Sequence, residues 1–296
     1  MSVRIEQYNN IWGYSKDFHD VCDFLIRINE DKVLTPNYLW ARWVWQFGPY
    51  MSRENLSHIG LFKDGGRIVG LATYEGDIGE AYFCADPKYD GLKAQMIRYA
   101  VENLSADGNI KILLPDGDLE YQQAAVSLGF VPTGDKAAVA CIDIGRNGYA
   151  LPEGFSIMSF DDSRFDAGKY YGAIWRGFDN TRERNEIETE SMNKRAGFDA
   201  PRLDLRLRIL VVAPNGDYAS HCGMWHIPNS EYAYVEPVFT LPEYRKTGLG
   251  KAAVLEGVKR CGEQGAKRAF VVSSQQFYYN IGFYPFHNET WWALRK

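Results

Sequence analysis

No apolar run in this 296-residue sequence reaches the ~18 residues needed to cross a bilayer, and the opening Met1-Ser-Val-Arg-Ile-Glu-Gln7 lacks the apolar core of a secretory leader. A cytoplasmic protein with no membrane partner is expected. Cysteine is sparse. Cys22, Cys84, Cys141, Cys222 and Cys261 are odd in number and scattered, with no C-x-x-C pair and no histidine at zinc spacing. That pattern argues against a disulfide framework and against a metal site. Basic residues are in the minority, 33 against 38 acidic ones, for a formal net charge of −5. A nucleic-acid binder needs a basic surface to neutralise phosphates, so no nucleic-acid partner is expected.

What is present suits a folded chain of about two domains. Hydrophobic residues make up 46% and charged residues 24%, an ordinary globular balance, and the length fits two domains of ~100–200 residues. Residues 14–30 carry Phe18, Val21, Cys22, Leu25 and Ile28 in a helical stripe, and residues 35–47 carry Leu39, Trp40, Trp43, Val44 and Phe47. The tryptophans could form a ligand platform, but an aromatic stripe at helical spacing reads first as core. Two alternating runs around Asp64-Gly-Gly66 predict a hairpin, followed by a strand at 80–84, a helix at 92–104, a strand at 110–114, a helix at 120–128 and a strand opening at Phe130.

The same order returns in the second half. Residues 206–213 and 219–226 predict a hairpin, 232–239 a strand, 249–261 a helix, 269–272 an apolar strand, and Gly282-Phe283 the entry to a last strand. Pro87 and Phe130 recur as Pro242 and Phe283 at nearly one offset, so internal duplication is expected, joined in the glycine- and proline-interrupted stretch 145–154. The domains are expected at 1–148 and 149–296.

The chemistry concentrates in Glu236-Pro-Val-Phe-Thr-Leu-Pro-Glu-Tyr-Arg-Lys-Thr-Gly-Leu-Gly-Lys251. Arg245, Gly248 and Gly250 are spaced R-x-x-G-x-G, and Val254, Leu255, Val258 and Cys261 form the apolar face of a following helix. Unpaired N–H groups at a helix start lie at the positive end of the helix dipole and can hold a pyrophosphate. Glycine lets the backbone approach closely.

This stretch resembles the acetyl-CoA-binding motif of the GNAT N-acetyltransferase superfamily, with Val238–Arg245 reading V-F-T-L-P-E-Y-R before R-x-x-G-x-G. Downstream, Phe277-Tyr-Tyr-Asn-Ile-Gly-Phe283 matches the family's F-Y-x-x-x-G-F. The resemblance implies an α/β protein with a mixed (α+β) sheet: two tandem GNAT-like domains, each a mostly antiparallel sheet with a splayed parallel strand pair and flanking helices. It implies acetyl-CoA as the acyl donor, held by Val238, Phe239 and Thr240 along pantetheine and by Arg245, Lys246, Thr247, Gly248, Leu249, Gly250 and Lys251 at the pyrophosphate.

The implied reaction moves an acetyl group to a primary amine by direct attack in a ternary complex. Tyr278 matches the family's general acid, which also touches the cofactor, with Tyr279 as the alternative register. Glu236 is the best-placed general base, two residues before Val238 and on the same face at period 2, and a solvated or salt-bridged strand glutamate is the plain alternative; His221 and His226 are runners-up. The asparagine often found before the F-Y pair is absent. Val271 takes its place, with Ser273, Ser274 or Gln275 as substitutes.

The N-terminal copy has Asp90 where Arg245 stands and Ala125 where Tyr278 stands, so it reads as a degenerate copy that walls the acceptor cleft, with one acetyl-CoA per chain. Candidate cleft residues are Trp175, Arg176, Asp179, Arg182, Trp225 and Trp291. The acceptor is expected to be a small-molecule or peptide amine, and the protein a monomer or homodimer. A non-catalytic acyl-CoA-binding sensor is the alternative function.

Overall fold

A computed structural model describes residues 3–47, 51–145, 148–182 and 198–295. Two units emerge: Met1–Val139 with Val272–Ser274 and Phe286–Lys296, and Ala140–Val271 with Gln275–Pro285.

In the first unit the two apolar stripes become α1 (Lys16–Ile28) and α2 (Trp40–Gln46). Ser15 caps α1 by accepting from the Phe18 N–H, and Asp17 complements the dipole in its first turn. Trp40 and Trp43 are core, and the Trp43 indole donates to the Phe18 carbonyl at 3.2 Å. The expected hairpin is β2 (Gly60–Asp64) with β3 (Arg67–Thr73), and its two-residue loop sets Gly65 and Gly66 at φ 56° and 84°. Positive φ at both positions is what a type I′ hairpin turn requires, and glycine adopts it without strain.

Strand β4 (Glu80–Ala85) pairs antiparallel with β3 and parallel with β5 (Lys111–Pro115). The parallel register covers only Glu80↔Lys111 and Ala81↔Ile112, so β4 runs on past its partner. Helices α3 (Lys93–Asn103) and α4 (Leu119–Ser127) stand at the predicted places, and the short edge strand β1 (Arg4–Gln7) went unpredicted.

The second unit orders its strands β6-β11-β10-β9-β8-β7: the last residues of β6 (Phe130–Asp143), then β11 (Arg268–Val272), β10 (Tyr232–Thr240), β9 (Tyr218–His226), β8 (Arg208–Val212) and β7 (Ser156–Ser159). Strands β7, β8, β9 and β10 pair antiparallel in succession, and β10 pairs parallel with β11. Helix α6 (Leu249–Glu263) covers one face of this sheet and buries Ala252, Leu255, Val258 and Cys261 against Ile209, Met224 and Val235. Helix α5 (Ala167–Gly177) packs on β9 and β10, and α7 (Gln276–Asn280) follows β11. Sequence reading missed β7 and α5; in α5 three glycines, Gly168, Gly172 and Gly177, dilute the apolar stripe that would announce a helix.

The strands are exchanged relative to contiguous halves. The last strand, β12 (Tyr284–Leu294), pairs antiparallel with β5 through Thr290↔Leu114, Trp291↔Leu113 and Trp292↔Ile112, and so completes the first unit's sheet. There Thr290 Oγ1 donates to Asp116 at 2.5 Å and Asn37 donates to Glu289. Residues Ala140–Asp143 of β6 belong to the second unit instead. A division at 148/149 gives no sign of this, because strand patterns state which residues face a core and not which sheet receives them.

Candidate functional site

The site grows from one interruption in a sheet. Strand β10 pairs with β11 only at Tyr232↔Arg268, Ala233↔Ala269 and Tyr234↔Phe270, yet continues to Thr240. From Val235 onward it leaves its parallel neighbour, while its other edge stays bonded to β9 through Val238↔Cys222, Phe239↔His221 and Thr240↔Ser220. A register shift between Val235 and Val238 marks a bulge at Glu236-Pro237. Val235 is buried in the α6 core, and Val238 packs against that same core. Period-two alternation therefore fails across Glu236, so alternation does not place Glu236 on the face of Val238.

Beyond Thr240 the chain makes a tight turn, Pro242–Tyr244, and enters α6. Lys246 at φ 64° and Gly248 at φ 88° hold left-handed conformations. Gly248 is the residue before the helix and has open space where a Cβ would stand, so its backbone conformation is what calls for glycine. Gly250 is different: a Cβ there would lie 3.1 Å from Thr240 Oγ1 and 3.3 Å from the Phe277 ring, a close approach between helix and site. The first N–H groups of α6 have no partners within the helix, so Lys246–Lys251 offer a concentrated set of backbone donors. These residues fit a pyrophosphate.

Arg245 is engaged in protein contacts. Its Nε donates to the Thr240 carbonyl at 3.1 Å, and its Nη2 donates to the Gly177 carbonyl at 3.0 Å and to Asp179 at 2.8 Å. Arg176 reaches Glu243 in the same turn at 2.5 Å. Two of the expected cleft residues thus tie the end of α5 to the turn.

Tyr278, on α7, is 7% exposed and packs edge-to-face on Phe277 and Phe283, with centroids 5.0 and 5.4 Å apart. Burial first, then Cys222 and Glu236, push its phenol above the usual range, so it keeps its proton. Tyr279 is half-buried against the same core, and Val271 is buried in it. The Glu236 carbonyl accepts from the Trp225 indole at 2.7 Å and from Arg208 at 2.9 Å.

Neither histidine is placed like a base. His221 is fully buried, its Nδ1 2.8 Å from the Ile209 carbonyl, and burial followed by the Arg208 charge drives its pKa well below the usual value. His226 lies at the other end of β9 between Gln264 and the Ser230 carbonyl. Trp175 is buried and donates to the Arg182 carbonyl, whereas Trp291 belongs to the first unit, edge-to-face with Tyr82. In that unit no residue described between β4 and α3 has positive φ, and Ala125 is buried on α4. The Asp90 side chain lies outside the described residues. Sequence reasoning missed Arg208, a cation directly before the aliphatic run Ile209-Leu-Val-Val212.

A mostly antiparallel sheet splayed at one parallel pair, with the turn after the splayed strand feeding a helix N-terminus, is the arrangement of the GNAT fold. Residues 173–284 match the model of the acetyltransferase (GNAT) family. The whole chain is similar to a GNAT-family acetyltransferase from Colwellia psychrerythraea, at 11% identity with TM-score 0.60 and all of both chains covered. It is also similar to a tandem GNAT protein from the clavulanic acid biosynthesis pathway, at 15% identity and TM-score 0.59, with 99% of this chain and 98% of that one covered. A third likeness is a GCN5-related N-acetyltransferase from Sphaerobacter thermophilus, at 14% identity and TM-score 0.57, covering 98% and 95%. No curated protein matches by sequence. Among the described residues, no helix is long and apolar enough to cross a membrane, and no cluster of His, Cys, Asp and Glu could hold a metal ion.

Proposed function

We propose that the second unit transfers an acetyl group from acetyl-CoA to a primary amine by direct attack in a ternary complex. The observation that carries this reading is the splay: the edge of β10 that leaves β11 at Tyr234 runs from Val235 to Thr240 into the donor-rich start of α6. Backbone groups of Val238, Phe239 and Thr240 can recognise pantetheine amides as an added strand would, and Lys246–Lys251 can hold the pyrophosphate. When bound, the cofactor supplies an activated acyl group as a thioester.

The protein's own contribution is position and proton traffic. Holding amine and acyl carbon together can remove roughly 7–11 kcal/mol of barrier. A free amine with pKa of about 10 is mostly protonated at neutral pH, so a base must take a proton before attack, and the Glu236 carboxylate serves as that base directly or through a water. Tyr278, held protonated by burial, gives its proton to the departing sulfur. The first unit is a degenerate copy and binds no acetyl-CoA.

Thiol release from acetyl-CoA in the presence of a mixed amine panel tests the reading. Amine-dependent release above the background hydrolysis is expected. Tight acetyl-CoA binding with no release for any amine would instead identify an acyl-CoA sensor.

A further inference from the structure

Arg208 lies at the start of β8, is 2% exposed, and has its guanidinium 4.0 Å above the Trp225 ring. Its cross-strand partner is Gly223, and a Cβ there would stand 2.0 Å from Nη1 and 2.5 Å from the Glu236 carbonyl oxygen. The glycine is the seat the guanidinium needs. Nη1 donates to the Glu236 carbonyl, whereas Nε and Nη2 are buried and make no hydrogen bond. Burial lowers the pKa to about 10, with Tyr170 and Glu236 among the groups acting the other way, so the group is still a cation. A fully buried arginine is normally paired, and two orphaned donors on one carry a large desolvation penalty.

A second orphan lies on the same strand face two residues along. The neutral His221 directs Nδ1 to the Ile209 carbonyl, leaving Nε2 buried as an acceptor without a hydrogen bond. His221 pairs with Phe239 and Arg208 bonds Glu236, so both orphans flank the stretch of β10 that has left β11.

Resting on the acetyl-transfer reading above, we propose that Arg208 binds the carboxylate of the acceptor and that the acceptor is a free amino acid. A carboxylate takes two parallel N–H donors in the fork that Nε and Nη2 form, and His221 Nε2 is complementary to an N–H donor beside it. Because the guanidinium touches the bulge where β10 splays, the anion must sit close to the reacting amine, as the α-carboxylate of an amino acid does. The same buried positive charge opposes polyamines and aminoglycosides, which carry only cations.

The test compares, on the wild-type protein, thiol release from acetyl-CoA with each free amino acid, its carboxamide, and spermidine. At least one free amino acid should react, and its carboxamide should lose about 10²-fold or more in kcat/KM, since a site built for a polar group rejects the analogue lacking it. Arg208→Lys keeps a charge without the fork and should raise KM for that amino acid about tenfold more than it raises KM for the carboxamide. Equal turnover of acid and amide, or preference for spermidine, overturns the carboxylate site and leaves the acetyltransferase reading intact. Absence of release with any amine overturns both.

Discussion

Arg245 donates to Asp179 at 2.8 Å, and through that pair the arginine of the R-x-x-G-x-G turn clasps the residues just after α5. Asp179 itself holds φ 60°, and the same arginine takes the Gly177 carbonyl. An arginine committed to three acceptors within the protein must share itself with any phosphate that arrives.

Asp179→Asn removes the competing charge and keeps the side chain's size. The side chains are 40% and 65% exposed, so the pair contributes no more than about 1 kcal/mol to stability, and the melting temperature should hardly move. Acetyl-CoA affinity should rise by a few-fold, while Arg245→Gln should lower it. Weaker binding in Asp179→Asn would show that the clasp positions the turn.

Gly248→Val should weaken acetyl-CoA binding more than Gly250→Ala. At φ 88° a residue with a Cβ costs about 1–2 kcal/mol or reshapes the turn, whereas at Gly250 the nearest atoms need to yield only a few tenths of an ångström. Calorimetric titration ranks the two, and equal, wild-type-like affinities would remove the pyrophosphate assignment.

Tyr278→Phe keeps the packing on Phe277 and Phe283 and deletes one hydroxyl. Turnover should fall by roughly 10²–10⁴ with little change in acetyl-CoA affinity. Tyr279→Phe is the control, and damage confined to that variant would shift the proton donor by one residue.

How legible all this was depends on the kind of signal. The hairpin at Gly65-Gly66, α1, and the helix after Gly248 were readable because turn chemistry and apolar periodicity are local. Arg208 was not, since its meaning depends on a glycine across the strand pair. Nor was the face of Glu236, because a bulge inserts a residue that alternation cannot count. The destination of β12 was invisible for a third reason: its pattern fits any sheet with a free edge.

Acid should weaken the first unit through Glu75. Burial alone would raise its pKa, but the Arg42 charge and hydrogen bonds at 2.6 and 2.5 Å outweigh that and set it below the ordinary value. A depressed folded-state pKa adds stability that is fully present above the unfolded value of about 4.3 and lost as pH falls through the folded one. Glu75→Gln should therefore melt lower than wild type at pH 7, by about 1–3 kcal/mol, with the gap closing toward pH 3. A gap that widens on acidification contradicts the sign.

The fragment 150–296 should associate or aggregate in light scattering. It lacks Ala140–Asp143, which belong to the second unit, and carries β12 without the β5 edge it pairs with. Deleting residues from Tyr284 onward should, conversely, abolish slow hydrogen exchange in β5. A monodisperse, folded 150–296 would argue against the exchange of strands.

That exchange also sets an order in time. Strand β5 ends at Pro115 and the strand that pairs with it ends at Leu294, so at synthesis rates of about 5–20 residues per second the first unit waits on the order of ten seconds or more for its last strand. Through that interval the nascent chain displays an open strand edge, which makes this edge the place where a chaperone has most to protect.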